Sequence, residues 1–409
     1  MYYAGIISGI MKGISAMEPM LVPEGDSALD DLTFDLNRAT ASLAGSLPVE
    51  IQRELARLVR SMNCYYSNFL EGHQTTPREI ERAMRSDFSN DSKQRALQYE
   101  ALAHIHVQQL IDAGEDPQEL WPASEGYVKW LHREFCSRLP PELLVMRTVD
   151  TDREVLVVPG EYRSGPVDTG RHDPPNYTAV PDFMRRFTEA YRNDRLSKPR
   201  QLMSVAAAHH RFTWIHPFAD GNGRVARLMS HAMFFRLLGG HSLWSVSRGL
   251  ARNAETYKSR LAAADLPRRN SLDGRGALSL EELKAFCNFF LSVSIDQVDF
   301  MNKLLQPQEL LRRMKIHVTD EVVAKRLPKG SFEMLREAFY RGSIQRGQAR
   351  EITGYEERRA RETLSTLLDR GLLVTTGPRA SVSLGFPPAV LDRWLPNLYP
   401  MDAPSSPGT

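Results

Sequence analysis

Apolar residues recur every three or four positions along most of this chain, and this spacing restricts the fold more than any other feature. A helix places such residues on one face, which it must bury against another element. Two helix starts carry a hydroxyl three residues before a carboxylate, Thr76 with Glu79 and Ser279 with Glu282. The sequence therefore predicts a mainly α protein, with helices over 32–47, 51–70, 93–113, 125–136, 180–193, 202–215, 224–238, 251–264, 279–303 and 310–326.

Length and composition set the size and class of the protein. The chain has 409 residues, 42% of them hydrophobic and 25% charged, which is typical of about two to three globular domains. The net charge of +2 excludes a global attraction to nucleic acid or to an anionic membrane. Three cysteines without a CxxC pair indicate reduced thiols. No stretch is apolar for long enough to span a bilayer, so we expect a cytoplasmic protein with no membrane partner.

Two β elements interrupt the helical pattern. The segment 154–158 and the Gly- and Pro-rich run 159–177 predict a short strand or hairpin. Near the end of the chain, three helical segments precede two β-like segments, which is the element order of a winged helix. The predicted divisions are a flexible segment at 1–31, a helical region at 32–120, a core at 121–305, a connecting helix and linker at 306–330, a winged helix at 331–395 and a flexible tail at 396–409.

The segment from residue 216 to residue 227 carries the clearest chemical signal. Gly221-Asn222-Gly223 precedes a helix and predicts an anion site at its N-terminus. Arg224 and Arg227 lie three residues apart in the first turns of that helix, so both guanidinium groups can reach one polyphosphate. Asp220 offers an oxygen ligand for Mg²⁺, and His216 offers a base near neutral pH. Together these groups indicate phosphoryl or nucleotidyl transfer.

Two other interpretations fit part of this segment. A Gly-rich turn with surface arginines would explain each of these residues separately. It would not explain why the glycines, the arginines, the aspartate and the histidine occur together. A zinc site would use His209, His210 and His216. It is disfavoured because adjacent residues on a helix point apart and no further ligand is spaced to complete the site.

The same segment matches the motif HPFx[D/E]GNGRxxR of the Fic family without a substitution, and the chain resembles that family from about residue 32 to about residue 305. Tyr162-Arg163 and the residues 172–175 look like the family's β-hairpin flap. The resemblance implies a helical Fic core with a short flap, accompanied by a C-terminal winged helix. The flap would hold an extended target segment by strand addition.

The resemblance also implies an activity, protein adenylylation. AMP would pass from ATP to a Tyr, Ser or Thr hydroxyl of a target protein, or of the protein itself, with release of pyrophosphate. His216 would deprotonate the hydroxyl, and Asp220 would hold Mg²⁺ against the phosphates. The nucleotide-binding residues implied are Gly221, Asn222, Gly223, Arg224, Arg227 and, on the helix that follows, Tyr257.

A second resemblance lies upstream, at residues 67–72. Ser67, Glu71 and Gly72 match the inhibitory motif [S/T]xxxE[G/N] of autoinhibited Fic proteins. The implied role is that Glu71 pairs with Arg227 and denies that guanidinium to the γ-phosphate of ATP. In some relatives the same glutamate supports removal of AMP from a modified target.

Several alternatives remain open from the sequence. The chain could be a winged-helix DNA-binding regulator whose Fic core senses nucleotide. It could instead remove AMP, or donate another nucleotide. The segment 356–362, the presumed recognition helix of the winged helix, carries both signs of charge. The sequence therefore favours DNA binding and protein docking about equally as roles of this domain, and self-association into a homo-oligomer slightly less.

Overall fold

The structure, a computed structural model, describes residues 13–73, 75–147, 154–167, 169 and 172–399. It is 64% helical, which confirms the predicted mainly α class. The predicted flexible ends lie outside the described residues over 1–12 and 400–409. The described chain divides into two compact units. One comprises residues up to 38 with 63–240 and 245–296, and the other comprises 39–62, 241–244 and 297 onward.

The α-helices of the described residues follow one another in this order: α1 (Ser27–Gly45), α2 (Val49–Leu70), α3 (Pro77–Met84), α4 (Ser92–Ala113), α5 (Glu125–Cys136), α6 (Val180–Ala190), α7 (Lys198–Ile215), α8 (Asn222–Leu237), α9 (Val246–Arg252), α10 (Ala254–Ala264), α11 (Leu280–Leu304), α12 (Pro307–Val323), α13 (Ser331–Arg341), α14 (Ala349–Thr353), α15 (Glu357–Asp369) and α16 (Pro388–Trp394).

Local sequence signals account for several of these boundaries. Thr76 caps α3 because its hydroxyl accepts a hydrogen bond from the Glu79 backbone at 3.3 Å, while the Glu79 carboxylate accepts one from the Thr76 backbone at 2.7 Å. The Ser279 hydroxyl accepts a hydrogen bond from the Glu282 backbone at 3.1 Å. Both predicted capping residues are thus confirmed, and each satisfies a backbone N–H that the helix leaves unpaired.

The first unit is built around α7 and α8, which pack closely against each other and are buried along most of their length. Helix α6 packs on α7, and α4 and α5 pack on α8. Part of the segment predicted to be flexible is buried here, since Met17, Met20 and Val22 are almost fully covered. The Met20 carbonyl accepts a hydrogen bond from the Tyr191 hydroxyl at 2.7 Å.

A short antiparallel hairpin lies between α5 and α6. It pairs β1 (Val145–Arg147) with β2 (Glu154–Leu156), with Val145 opposite Leu156. The predicted strand at 154–158 is confirmed in part by β2. In the Gly- and Pro-rich run that follows, the described residues form one isolated bridge, between Thr169 and His172, and residues 168, 170 and 171 lie outside the description.

The second unit ends in helices and a small sheet. Three short strands, β3 (Ser343–Ile344), β4 (Leu373–Thr375) and β5 (Val382–Leu384), form an antiparallel sheet in the order β3-β5-β4. Helix α13 packs on β3 and β5, and α15 packs on β4. The three helices and the ribbon β4–β5 follow the order predicted for a winged helix. The third strand was not predicted because two residues carry no alternation pattern.

Among the described residues, we find no helix whose length and apolar character would let it cross a bilayer.

Candidate active site

The motif begins in the loop between α7 and α8, and hydrogen bonds within this loop fix its conformation. His216 ends α7 in the left-handed region, with φ of 51°, and Gly221 precedes α8 with φ of 77°. A non-glycine residue rarely adopts such a φ, and where it does it often lies at a functional site. The Asn222 side chain closes the loop, because it accepts a hydrogen bond from the Phe218 backbone at 2.9 Å and donates one back at 2.8 Å.

The His216 imidazole faces a cavity of about 1130 Å³. Burial lowers the pKa of His216 to about 4, against which a hydrogen bond to the Thr213 backbone acts weakly. A neutral imidazole at physiological pH can accept a proton, which is what a general base requires.

Arg163 supports the backbone of this loop from the predicted flap region. Its guanidinium donates to the His216 carbonyl at 2.8 Å and to the Gly165 carbonyl at 3.2 Å, and its backbone N–H donates to the Pro217 carbonyl at 2.9 Å. The side chain is almost completely buried. The sequence predicted Arg163 only as part of the flap. In the structure, Arg163 also fixes the backbone of His216.

Asp220 stands exposed just before α8, and its carboxylate accepts a hydrogen bond from the Gly221 backbone at 2.6 Å. Within the described residues, no group of three or more His, Cys, Asp or Glu side chains could hold a metal ion. One exposed carboxylate beside an anion site fits Mg²⁺, which takes one or two protein carboxylates and completes its shell with phosphate oxygens and water. It does not fit zinc, which takes three or four protein ligands.

Arg227 is buried and meets the end of α2. Its Nε donates to the Ser67 hydroxyl at 2.8 Å, and its Nη2 donates to the Ser67 carbonyl at 3.3 Å and to Glu71 Oε1. Burial raises the pKa of Glu71, but the charges of Arg227 and Arg224 outweigh it and leave that pKa lowered, so Glu71 is ionised. Ser67 and Glu71, the two residues whose spacing resembles the inhibitory motif, therefore both contact Arg227.

Gly223 makes this approach sterically possible. A Cβ built at residue 223 would overlap Glu71 Oε1 and would lie 3.1 Å from Arg227 Nη1. Any other residue at this position would displace the carboxylate. Gly72 has φ of 81°, which lets the chain leave α2 immediately after Glu71.

Arg224 meets a different carboxylate, one that the sequence analysis missed. Its Nη2 lies 2.7 Å from Glu100 Oε2 and 3.1 Å from His73 Nδ1. The signal was available in the sequence, since Glu100 precedes the apolar run Ala101-Leu102-Ala103 on a helix and a half-buried carboxylate needs a partner. The partner's identity needed the tertiary structure.

Tyr257 lies against the same cavity, and its hydroxyl is 2.7 Å from His209 Nε2. His209 Nδ1 lies 2.9 Å from the Ser230 hydroxyl, which donates to the Ala226 carbonyl at 2.9 Å. Tyr257 therefore donates to His209, and burial raises the pKa of Tyr257. His210 contacts the Leu261 carbonyl instead, so the three histidines of the zinc interpretation have separate partners.

The cavity brings five of the eleven predicted site residues together. Glu71, His216, Gly223, Arg227 and Tyr257 line it, together with Thr169 and His172 of the predicted flap. Asp220 and Arg224 lie in the adjoining turns of the motif and are not among the lining residues. His172 was quoted in the sequence only as part of the flap; its Nε2 is 2.7 Å from the Trp214 carbonyl, so it anchors the flap to α7.

Comparison with known proteins identifies the domain that carries this site. Residues 122–234 match the family model described as the Fic/DOC family. The protein adenylyltransferase Fic of Drosophila erecta is 35% identical over 114 residues, which are 27% of this chain and 23% of the relative. That of Drosophila mojavensis is 25% identical over 172 residues, covering 42% of this chain and 31% of the relative. The chain thus spans less than a third of the curated relatives it matches.

Two solved structures share the fold. A Fic family protein from Desulfovibrio desulfuricans has a TM-score of 0.53 at 17% identity and covers 90% of this chain and 98% of its own. Residues 134–508 of Fic-1 from C. elegans give 0.52 at 17% identity, covering 68% and 74%. The protein is therefore of the Fic-fold class. More specifically, the chain contains a domain of the Fic/DOC family, and the motif His216 to Arg227 lies inside the matched residues.

Proposed function

We propose that the protein transfers AMP from ATP to a hydroxyl group on a protein side chain and releases pyrophosphate. The observation that carries this proposal is the placement of the neutral, half-buried imidazole of His216 and the buried guanidinium of Arg227 on one cavity at the start of α8. The names of the curated relatives, which are protein adenylyltransferases, support the reaction class.

His216 would accept the proton of the attacking hydroxyl as its oxygen bonds to the α-phosphorus. Its left-handed backbone, fixed by the bond from Arg163 to its carbonyl, points the ring into the cavity. Gly221, Asn222 and Gly223 would present the N-terminus of α8 to the phosphates, with Asn222 shaping the turn through its bonds to Phe218. Pyrophosphate leaves as the bond between the α-phosphorus and its bridging oxygen breaks.

Asp220 would hold Mg²⁺ against the α- and β-phosphates. When bound, Mg²⁺ supplies charge neutralisation for the departing pyrophosphate. The protein's share of that task falls to Arg224 and Arg227, which lie one turn apart on α8. Tyr257, which also lines the cavity, would contact the nucleotide.

Glu71 would restrain the reaction. Its carboxylate occupies Arg227 Nη2, the group that a γ-phosphate would use, so ATP has to compete with it for a productive pose. The same carboxylate is a third exposed and lies on the cavity, where it could orient water for the removal of AMP. Both directions would then share one site, and Glu71 would favour removal over transfer.

Intact mass spectrometry tests the proposal most directly. The protein and its Glu71→Gly variant are incubated with Mg²⁺-ATP, and a mass gain of one AMP on the protein is expected, larger in the variant. His216→Ala in the Glu71→Gly background is the matched control and should gain no mass. Nucleotide binding without any mass gain, on the protein or on added proteins, would contradict the assignment.

The alternative of a DNA-binding regulator receives no support from the described surface of α15. Arg358 pairs with Glu362 at 3.0 Å and Arg361 pairs with Glu357 at 2.7 Å, all within the helix. The Arg359 guanidinium lies 3.9 Å from the centre of the Tyr355 ring. These contacts leave little free positive charge for phosphates. Self-association and a cytoplasmic location remain predictions.

A further inference from the structure

The site contains a second ion pair, in which the arginine belongs to the Fic motif and the carboxylate does not. Glu100, on α4, accepts a hydrogen bond from Arg224 Nη2 at 2.7 Å. The side chains of Arg224 and Glu100 are 5% and 13% exposed. Taking two charges this far out of water is costly, and removing one partner would strand the other. The fold therefore has to keep both partners of the pair together. The carboxylate of the pair comes from α4, which lies outside the residues that match the Fic family model.

The position of Glu100 differs from that of Glu71. Glu71 is 33% exposed and lines the cavity, whereas Glu100 is not among the lining residues. Glu71 therefore occupies the space that a nucleotide needs. Glu100 pairs with Arg224 instead, and neither of these two residues lines the cavity.

Two further side chains contact Arg224. The guanidinium lies 5.2 Å from the centre of the Phe135 ring, and its Nη2 is 3.1 Å from His73 Nδ1. The same His73 nitrogen is 2.9 Å from Glu100 Oε2, and His73 follows Gly72 at the end of the inhibitory segment. The Glu100 carboxylate and the Phe135 ring face together fix the orientation of the Arg224 guanidinium, and His73 donates its Nδ1–H to Glu100 and so positions that carboxylate.

The ionisation of Glu100 is consistent with this arrangement. Burial raises the pKa of Glu100, but the hydrogen bond from His73 and the charge of Arg224 outweigh that effect and leave the pKa lowered. Glu100 thus carries its negative charge at neutral pH.

We propose that Glu100 is a positioning residue for the phosphate-binding Arg224, holding its guanidinium in the orientation that polyphosphate requires. This inference rests on the proposed function for the identity of the nucleotide. Glu100 would touch neither substrate nor metal and would act only through Arg224. Loss of its charge should weaken the binding of ATP, whereas loss of the Glu71 charge should strengthen productive binding.

The test is a double-mutant cycle on the full chain in the Glu71→Gly background, where the competing carboxylate is gone. Isothermal titration with Mg²⁺-ATP measures the Kd of the parent, Glu100→Ala, Arg224→Ala and the double variant. We expect Glu100→Ala to raise Kd about tenfold and to have almost no further effect once Arg224 is Ala. Glu100→Gln, which keeps an oxygen acceptor, should lose less than Glu100→Ala.

Glu81→Gln is the matched control, since the Glu81 carboxylate on α3 pairs with Arg85, the residue that follows the last turn of that helix, and it should leave Kd unchanged. Losses that add across the cycle would show a general structural role and overturn the proposal, as would an unchanged Kd in Glu100→Ala. Increased self-modification by Glu100→Ala alone would make Glu100 a second inhibitor and overturn it too.

The measurement separates this inference from the proposed function. Coupled losses of ATP binding without AMP transfer would retain the role of Glu100 and refute the transferase. AMP transfer with no Glu100 effect would do the reverse. Absence of ATP binding in the parent would refute both.

Discussion

Two buried guanidinium groups lie one turn apart on α8, and each is held by a carboxylate from outside the motif. Arg227 pairs with Glu71 and Arg224 pairs with Glu100. Like charges this close repel, so the two carboxylates stabilise the arginines in the folded protein. The two pairs are not equivalent, because the carboxylate of Glu71 lies on the cavity. At the scale of single residues, a phosphate that enters the cavity should therefore compete with Glu71 for Arg227 and leave the pair of Glu100 with Arg224 in place.

Replacing Glu71 should raise activity. A charge-assisted bond in a partly closed site is worth about 1 to 3 kcal/mol, so its loss as a competitor should raise self-modification by roughly tenfold or more in Glu71→Gly. Adding Arg227→Ala should cancel most of the gain, because the freed guanidinium is what the γ-phosphate uses. Incorporation of labelled AMP measures both. A folded Glu71→Gly variant with unchanged or reduced incorporation would contradict the inhibitory role.

Replacing His216 should separate binding from chemistry. In the Glu71→Gly background, His216→Ala should abolish transfer and leave the Kd for ATP nearly unchanged, because the imidazole accepts a proton and makes no phosphate contact. Transfer is followed by labelled AMP and binding by titration calorimetry. Residual transfer above about a tenth of the parent rate would remove His216 from the role of general base.

Replacing Asp220 should change the metal requirement. Because Asp220 is the motif's only carboxylate, Asp220→Ala should raise the Mg²⁺ concentration for half-maximal transfer by about tenfold. The Mg²⁺ titration is run at saturating ATP in the Glu71→Gly background, with binding of ATP in excess chelator as the control. A titration curve that does not move would show that Asp220 does not hold the metal.

At the scale of elements, the sequence predicted those features that depend on near neighbours. The caps Thr76 and Ser279 were predictable because a cap and its partner lie three residues apart. The end of α2 at Leu70 before Gly72 followed from the same kind of signal. Glu100 was not predicted to meet Arg224, which lies 124 residues away, because no local pattern records that contact. Strand β3 was missed because it is defined only by its pairing with β5.

Helix α15 allows a prediction about nucleic acid. Because two of its three arginines, Arg358 and Arg361, are paired within the helix, the intact protein should bind duplex DNA only in the non-specific range, with Kd of about 10⁻⁴ to 10⁻⁶ M or weaker. The double variant Glu357→Gln with Glu362→Gln frees two guanidinium groups and should bind more tightly, with a steeper dependence on salt. Fluorescence anisotropy at several salt concentrations measures both. Sequence-specific binding by the unchanged protein at nanomolar concentrations would revive the regulator hypothesis.

At the scale of the whole molecule, buried histidines concentrate in the unit that carries the site. Burial lowers the pKa of His104 and of His209 to about 3, and that of His132 and of His216 to about 4. All four are neutral in the folded protein at neutral pH. In the unfolded chain their pKa values return to about 6.5. The folded state therefore binds fewer protons than the unfolded state wherever the pH lies between these values.

This difference predicts acid sensitivity in a defined range. The free energy of unfolding should change little between about pH 7 and pH 8 and should fall as the pH drops from about 6.5 toward 4, by up to about 1.4 kcal/mol per pH unit for each such histidine. Carboxylates do not contribute to the upper part of this range, because they take up protons only below about pH 5. Urea unfolding followed by circular dichroism at intervals between pH 8 and pH 5 gives the slope. His104→Gln is a suitable control, since His104 Nδ1 has no hydrogen-bond partner among the described residues. This variant should take up about one proton fewer on unfolding, and the slope of the free energy against pH should decrease accordingly. A free energy of unfolding that stays level from pH 7 to pH 5 would mean that these histidines are not held neutral by burial, and the assignment of His216 as a base that is unprotonated at physiological pH would lose its physical support.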